Sequence, residues 1–169
     1  GVALGRELIA GVCPRLTKLD LSWNLLKFKG SATLFDAFGR GSGSGVTWLD
    51  LRANHIDERG IKGLKVALEK GALPNMYYLD LRQNSFGDEG AKLVAHMALS
   101  GLLGGLQTLR CDSCQIRDAG VKALFMAING KSIKFLMPKL ELFSCKNNHP
   151  SPELMRRMDA SGIPPHFMI

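Results

Sequence analysis

The amino-acid sequence predicts an α/β solenoid, a right-handed superhelix of stacked strand-and-helix units. Three observations support this fold class: one residue position recurs at a fixed interval, an alternating apolar segment precedes it, and a helical pattern follows it. We expect a parallel concave sheet of about five strands, with helices on the convex side. The recurring positions lie 30, 30, 30 and 31 residues apart, and they are Asn24, Asn54, Asn84, Cys114 and Cys145.

Each recurring residue closes a segment in which apolar and polar residues alternate, which is typical of a half-buried strand. In the first segment Leu16, Leu19 and Leu21 are predicted to point inward. The closing Asn or Cys is expected to turn inward, satisfy the bending backbone and stack on its equivalent in the next repeat. The segments are LTKLDLSWN (16–24), VTWLDLRAN (46–54), MYYLDLRQN (76–84), LQTLRCDSC (106–114) and MPKLELFSC (137–145).

The second half of each unit has the apolar spacing of one helical face. The aligned segments are GSATLFDAF (30–38), GIKGLKVAL (60–68), GAKLVAHMA (90–98) and GVKALFMAI (120–128). Three acids at the helix starts, Glu58, Asp88 and Asp118, are predicted to cap free N–H groups. Glycines near the helix ends favour C-caps there, at Gly71, Gly101 and Gly130.

Both ends of the chain depart from this pattern. We predict a single domain over 1–169, with 1–12 as the helix of an incomplete first repeat, 16–148 as repeats and 149–169 as a C-terminal cap. Further repeats or a partner are expected to cover the N-terminal edge, because a solenoid needs its last core face closed. In the cap, Ser151 and Pro152 predict a helix start, and the end at 167–169 is either an apolar clip or a frayed tail.

The motif LDLRQN (79–84), followed by GDEGAK (87–92), resembles the leucine-rich repeat of the ribonuclease-inhibitor type. The resemblance covers about residues 1–148. That family includes the ribonuclease inhibitor, NOD-like receptors, the Ran GTPase-activating protein and tropomodulin. The resemblance implies a fold, but it implies no one function, because these relatives do different jobs.

Composition and charge exclude some classes of protein. No apolar run reaches the roughly 18–20 residues of a membrane helix, so we expect no membrane partner. The net charge of +7 is spread along the chain, which favours a solvated surface and leaves nucleic acid as a possible partner. The lysines that could meet phosphates are Lys62, Lys65, Lys92, Lys122, Lys131, Lys134, Lys139 and Lys146.

Four cysteines bear on metal binding and on the cellular compartment. Cys111 and Cys114 form a C-x-x-C, but their repeat positions predict buried structural thiols, with Cys145 as the next rung beyond Cys114. A zinc cluster of these three cysteines is the alternative. Cys13 has no obvious pairing partner in the sequence. Since nothing in the pattern demands disulfides, an intracellular and cytoplasmic location is expected.

The sequence offers no convergent catalytic set. His55, His96, His149 and His166 belong to different repeats or to the cap, and no serine or cysteine has an evident base beside it. The glycine-rich segment GRGSGSG (39–45) lacks the lysine of a phosphate-binding loop. We therefore predict no enzyme activity, no cofactor and no metal.

Outward strand positions form the predicted concave face, and they combine aromatic residues with arginines and aspartates. Aromatic residues and arginines often anchor protein interfaces. The alternative is that the aspartates and arginines simply neutralise one another. The residues predicted to bind a partner are Trp23, Trp48, Tyr78, Arg52, Arg82, Asp50, Asp80, Arg110 and Phe143.

Three functions are compatible with this sequence. The first is a non-catalytic scaffold that binds a partner protein through the concave face. The second is a structural subunit of a large assembly such as a ribonucleoprotein, which the positive charge suggests. The third is a regulatory or sensor fragment such as a GTPase activator, and it depends on the family resemblance alone.

Overall fold

A computed structural model describes residues 15–129, 133–160, 162 and 167–168. The predictions for 1–12, Cys13, Gly130, Lys131 and His166 lie outside these residues. The strands are β1 (Lys18–Asp20), β2 (Trp48–Asp50), β3 (Tyr78–Asp80), β4 (Thr108–Arg110), β5 (Leu142–Ser144) and β6 (Phe167–Met168). The helices are α1 (Lys27–Gly39), α2 (Glu58–Glu69), α3 (Gly87–Leu99), α4 (Asp118–Asn129), α5 (Ile133–Leu136) and α6 (Pro152–Ala160).

The strands form one parallel sheet in the order β1-β2-β3-β4-β5-β6. Each strand pairs with the next strand along the chain, so Leu19, Leu49 and Leu79 lie side by side. Successive long helices pack against each other, α1 on α2, α2 on α3 and α3 on α4. The predicted α/β solenoid with a parallel sheet is confirmed.

The core lies between the sheet and the helices. The middle residues of β1 to β5 are buried in one cluster with a column of helix residues, which are Leu34, Leu64, Val94 and Leu124. Alternate strand residues therefore point away from the helices, as the pleat requires. They define the open face of the sheet, where the predicted binding residues were placed.

The fifth repeat corrects the sequence prediction. Thr108 pairs with Leu142, so the offset between β4 and β5 is 34 residues rather than the predicted 31. The extra residues include the short helix α5, which the sequence pattern did not reveal. The strand segment is thus 140–148, and the predicted segment 137–145 is three residues out of register. Both segments place apolar residues at the inward positions, and the predicted segment ends on Cys145 while the observed segment ends on Asn148. The pattern alone therefore could not distinguish the two alignments.

A ladder of buried side chains closes the strands, as predicted. The Asn84 amide nitrogen donates to the carbonyl oxygens of Leu51, Leu81 and Arg82, and its oxygen accepts from the N–H groups of Asn54 and Ile56. Each such side chain therefore joins two repeats and satisfies backbone groups that the turn leaves free.

The next ladder positions show how the register changes. The Cys114 thiol donates to the carbonyls of Leu81 and Asp112. Asn148 then takes the fifth position, because its oxygen accepts from the N–H groups of Cys114 and Ile116. The prediction that Cys145 is the rung beyond Cys114 is therefore wrong.

Helix capping also differs from the prediction. Of the three acids predicted to cap their own helices, two accept hydrogen bonds from the following repeat instead. Asp57, not Glu58, caps α2 and accepts from the N–H groups of Arg59 and Gly60. Asp88, in the first turn of α3, accepts from the N–H groups of Arg117 and Gly120 at the start of α4. Asp118 in turn accepts from the N–H and hydroxyl groups of Ser151 before α6. Neighbouring helices start side by side, so a carboxylate reaches the next helix as easily as its own.

The predicted glycine C-caps are confirmed where the structure describes them. Gly71 and Gly101 follow α2 and α3 with φ values of +82° and +73°, a region that residues with a side chain rarely adopt.

At the C-terminal end, α6 buries Met158, and Leu154 packs partly against the core. β6 pairs with β5 through Phe143 and Phe167. Phe167–Met168 thus form an edge strand, which the sequence analysis did not predict.

Gly120 lies where α4 approaches α3, and replacing it with alanine is expected to destabilise the protein by about 1–3 kcal/mol through overpacking. An added Cβ would lie 2.5 Å from Ile116 Cγ2, 2.7 Å from Asp88 Oδ1 and 2.8 Å from Ala91 Cβ. Urea unfolding would measure the free-energy change.

The matched control is Gly63→Ala in α2, where the nearest atom outside the helix would be Phe35 Cδ2 at 3.4 Å. This change should raise stability by up to about 1 kcal/mol, because alanine loses less entropy in a helix. Equal effects of the two substitutions would contradict the close approach at Gly120.

Candidate functional site

The candidate site is the open face of the sheet, which we call the sheet face. It is formed by three rows of outward side chains that follow from the observed strand register. The rows are Lys18, Trp48, Tyr78, Thr108 and Leu142; Asp20, Asp50, Asp80, Arg110 and Ser144; and Ser22, Arg52, Arg82, Asp112 and Lys146.

Two aromatic rings stack at the centre of the sheet face. Trp48 and Tyr78 are register partners on β2 and β3, and their ring centroids lie 4.9 Å apart with an interplanar angle of 10°. The distance is close to the spacing of neighbouring strands, so the backbone itself sets the stack. Both side chains are half-buried, and part of each ring remains open to solvent.

The third repeat holds an arginine rigidly beside this stack. Arg82 Nε donates to both oxygens of Asp80, at 3.0 and 2.9 Å, and Arg82 Nη2 lies 2.6 Å from Oδ2. The Tyr78 hydroxyl donates to the same Oδ2 at 3.1 Å. Burial and the neighbouring Asp80 carboxylate raise the pKa of Tyr78, so the phenol stays protonated at neutral pH.

Asp80 is 0% exposed, so a partner would meet Arg82 and Tyr78, not the carboxylate that positions them. Asp50 is buried in the same way, and burial raises the pKa of its carboxyl group. The structure thus buries both aspartates, and their predicted role in binding a partner stays a prediction.

Arg52 is held more loosely than Arg82. Its backbone N–H donates to Asp50 Oδ1 at 2.8 Å, but its Nη2 lies 3.8 Å from Asp50 Oδ2. Its guanidinium carbon lies 5.9 Å from the centre of the Trp23 ring, which is exposed at the first repeat. Arg52 Nε is buried without a hydrogen-bond partner in the structure.

The fourth repeat reverses the order of charges. Arg110 stands where earlier repeats have aspartate, and Asp112 stands where they have arginine, with 3.8 Å between Arg110 Nη2 and Asp112 Oδ2. Asp112 Oδ1 accepts from the Ser144 hydroxyl and, at 2.7 Å, from the Lys146 N–H. Arg110 Nε, like the Nε of Arg52, lacks a partner.

The corrected register removes one predicted residue from the sheet face and adds others. Phe143 was predicted to share a row with Arg52 and Arg82, but it pairs with Leu109 in the core and is 0% exposed. Leu142, Ser144 and Lys146 occupy the outward positions of this strand instead. The sequence-based prediction missed these residues because the four-residue helix α5 changes the register of the fifth repeat.

Residues 72–95 match the family model described as a leucine-rich repeat, which covers the third strand and most of α3. The fold is a leucine-rich repeat solenoid. Leucine-rich repeats support a general role in protein interaction, and such domains are typically non-catalytic. No curated protein matches the chain. The ribonuclease-inhibitor subtype stays a prediction.

Three cysteines among the described residues of this leucine-rich repeat domain lie in its core. Cys111, Cys114 and Cys145 are all buried, and Cys145 lies next to Cys111 in the inward row of the sheet. Burial raises the pKa of the thiols of Cys111 and Cys114 far above the ordinary value and that of Cys145 to about 12. Buried neutral thiols pack as small apolar groups and react poorly.

The described residues contain neither a group of possible metal ligands nor a helix that could span a membrane. Within 15–129, 133–160 and 162, no three His, Cys, Asp or Glu side chains are grouped so that they could hold a metal ion. Across the described part of the chain, no helix is long and apolar enough to cross a membrane.

Proposed function

We propose that this leucine-rich repeat chain is a non-catalytic protein-interaction scaffold and that its partner binds the sheet face. The Trp48–Tyr78 stack, with Arg52 and Arg82 four residues further along the same two segments, is the observation that carries the proposal. The sheet face is the predicted concave face, which offers a partner many side chains at once.

The aromatic stack supplies the apolar centre of this surface. The two rings support each other, so a partner that covers them loses little side-chain entropy. Tryptophan, tyrosine and arginine are the residue types that most often contribute large shares of binding energy. Trp23 would extend the contact toward the first repeat.

The arginines supply the selectivity. Arg82 is fixed by its three hydrogen bonds to Asp80 and offers a preorganised donor group. Arg52 and Arg110 make longer ion pairs and keep an unpaired Nε, so they are the side chains expected to rearrange toward acceptors on a partner. A partner with hydrogen-bond acceptors around an apolar centre fits this arrangement.

The double variant Trp48→Ala/Tyr78→Ala is expected to weaken partner binding about 30-fold or more, since each hot-spot side chain contributes about 1–2 kcal/mol or more. The partner would be purified by affinity capture from native cells and identified by mass spectrometry. Calorimetry with the purified partner would then give the dissociation constants.

The matched control is Phe135→Ala, because Phe135 is 87% exposed and lies on α5, away from the sheet face. Binding should not change in this variant. If the double variant stays folded by circular dichroism and still binds with the original affinity, the sheet face is not the site.

The alternative of a subunit in a ribonucleoprotein has one structural observation in its favour. Lys62, Lys92 and Lys122 occupy the same position on three successive helices, and all three are exposed. RNA binding that falls steeply with added salt would support this alternative. The GTPase-activator alternative stays a prediction without an assigned residue.

A further inference from the structure

We propose a second docking surface, separate from the sheet face, that takes an acidic segment of a partner protein carrying one large apolar side chain. The surface is a groove at the loops that lead from β1 and β2 into α1 and α2. We call it the rim groove, and its principal lining residues are Leu25, Lys27, Phe28, Lys29, His55 and Arg59.

The rim groove is large enough for such a segment. Its volume is about 860 Å³, within the range of about 300–1,000 Å³ that ligand sites commonly have. Two apolar side chains are open to it, Leu25 at 71% exposure and Phe28 at 37%. One face of the Phe28 ring carries the Arg59 guanidinium at 4.5 Å, so the ring is held in place.

The charges around the rim groove call for an acidic partner. Its lining contains three permanent cations, Lys27, Lys29 and Arg59, and one carboxylate, Asp57. Asp57 caps α2 and pairs with Arg59 at 2.5 Å, so these two charges offset each other and the lysines carry the net positive charge. Among the described residues that line the groove, the two lysines have no such carboxylate beside them.

The backbone at Lys27 adds an independent observation. Lys27 has a φ of +49°, a conformation that residues with a side chain adopt at a cost. The corresponding position in the third repeat is Gly87, with a φ of +55°, which adopts it freely. Lys27 therefore occupies a backbone position that suits glycine. Its side chain adds a cation to the groove that Leu25 and Phe28 also line.

A peptide suits this groove better than a nucleic acid does. Phosphates would meet the lysines but would leave Leu25 and Phe28 in water. An acidic peptide with a leucine or an aromatic residue would satisfy the cations and also bury the apolar side chains.

The test begins with a displayed library of random 12-residue peptides, selected against the whole chain. Enriched peptides are expected to contain several Asp or Glu residues around one large apolar residue. One enriched peptide, labelled with fluorescein, is then measured by anisotropy at low and high salt, beside its analogue with Gln in place of Glu and Asn in place of Asp. The neutral analogue should bind at least about tenfold more weakly.

Two variants of the chain separate binding from folding. Lys27→Gly combined with Lys29→Gln should weaken the peptide about three- to tenfold and reduce its salt dependence. The glycine should leave the melting temperature within about 4 °C, because Gly87 already holds the same conformation. Leu25→Ser should weaken the peptide about tenfold through lost apolar contact, with little effect on folding because Leu25 is exposed.

The double variant Trp48→Ala/Tyr78→Ala should bind the acidic peptide unchanged, so this proposal and the proposed function can fail separately. Absence of acidic peptides from the selection would overturn the proposal, and so would full binding by the Lys27 and Leu25 variants. Two further results would overturn it: tighter binding of a 12-nucleotide RNA at the same residues, or self-association in sedimentation that Leu25→Ser abolishes.

Discussion

Replacing Phe143 with alanine is expected to lower the free energy of unfolding by about 3–5 kcal/mol, the usual cost of removing a phenylalanine from a packed core. Phe143 is fully buried and lies beside Leu109 in the inward row of the sheet. Urea unfolding followed by circular dichroism would measure the loss. A large effect is expected only if the fifth repeat has the observed register.

The same experiment distinguishes the observed register from the one that the sequence predicts. In the predicted register Phe143 lies on the sheet face, and its removal would change stability by no more than about 0.5 kcal/mol, as for other exposed positions. Phe135→Ala is the matched control, since it removes the same ring from an exposed position on α5. Similar midpoints for the two variants would show that the 34-residue offset is wrong.

Replacing Asn84 with alanine is expected to cost about 2–6 kcal/mol, because two buried N–H groups lose their acceptor at about 1–3 kcal/mol each. The N–H groups belong to Asn54 and Ile56, at 3.1 and 2.9 Å from the Asn84 oxygen. Three carbonyl oxygens also lose a donor. Because these groups belong to the second and third repeats, we expect the loss of the Asn84 amide to weaken the contact between those repeats. Chemical denaturation and hydrogen exchange of the second and third repeats would report it.

Asn24 is the matched control for Asn84, because it occupies the same repeat position but is exposed. Its amide donates to the carbonyls of Leu21 and Ser22, at 2.8 and 3.1 Å, and water can replace both contacts. Asn24→Ala should therefore cost about 1 kcal/mol or less. If Asn24→Ala cost as much as Asn84→Ala, the ladder would owe its stability to local turn geometry and not to contacts between repeats.

The two proposed surfaces differ in what recognises the partner. On the sheet face, the buried Asp80 holds Arg82 and Tyr78 in place, and the aromatic stack is proposed to supply the apolar contact. In the rim groove, exposed lysines act without paired carboxylates, so binding there should depend more strongly on salt. A single partner could reach both surfaces, or two partners could bind at once, and the paired variants above distinguish these cases.

Much of the candidate site could be predicted from the sequence. The thirty-residue interval placed Trp48 and Tyr78 in one outward row, and the structure stacks their rings. The same interval placed Arg52 and Arg82 together in the third row. The burial of Asp50 and Asp80 could not be predicted, since alternation alone gives the side of the sheet and not the depth of a side chain. Their depth depends on neighbours from adjacent repeats.

The sequence by itself determined the repeat, the strands of the first four units, the apolar helix faces and the ladder of Asn54, Asn84 and Cys114. These features depend on the two-residue period of strands, the 3.6-residue period of helices and the thirty-residue interval between repeats. All three can be seen in a single sequence. Only the tertiary structure decided the register of β5, the capping of α4 by Asp88 and the place of Phe143. Each of these results from hydrogen bonds and packing between units. The register of β5 and the place of Phe143 depend also on the insertion of α5, which changes the spacing along the chain.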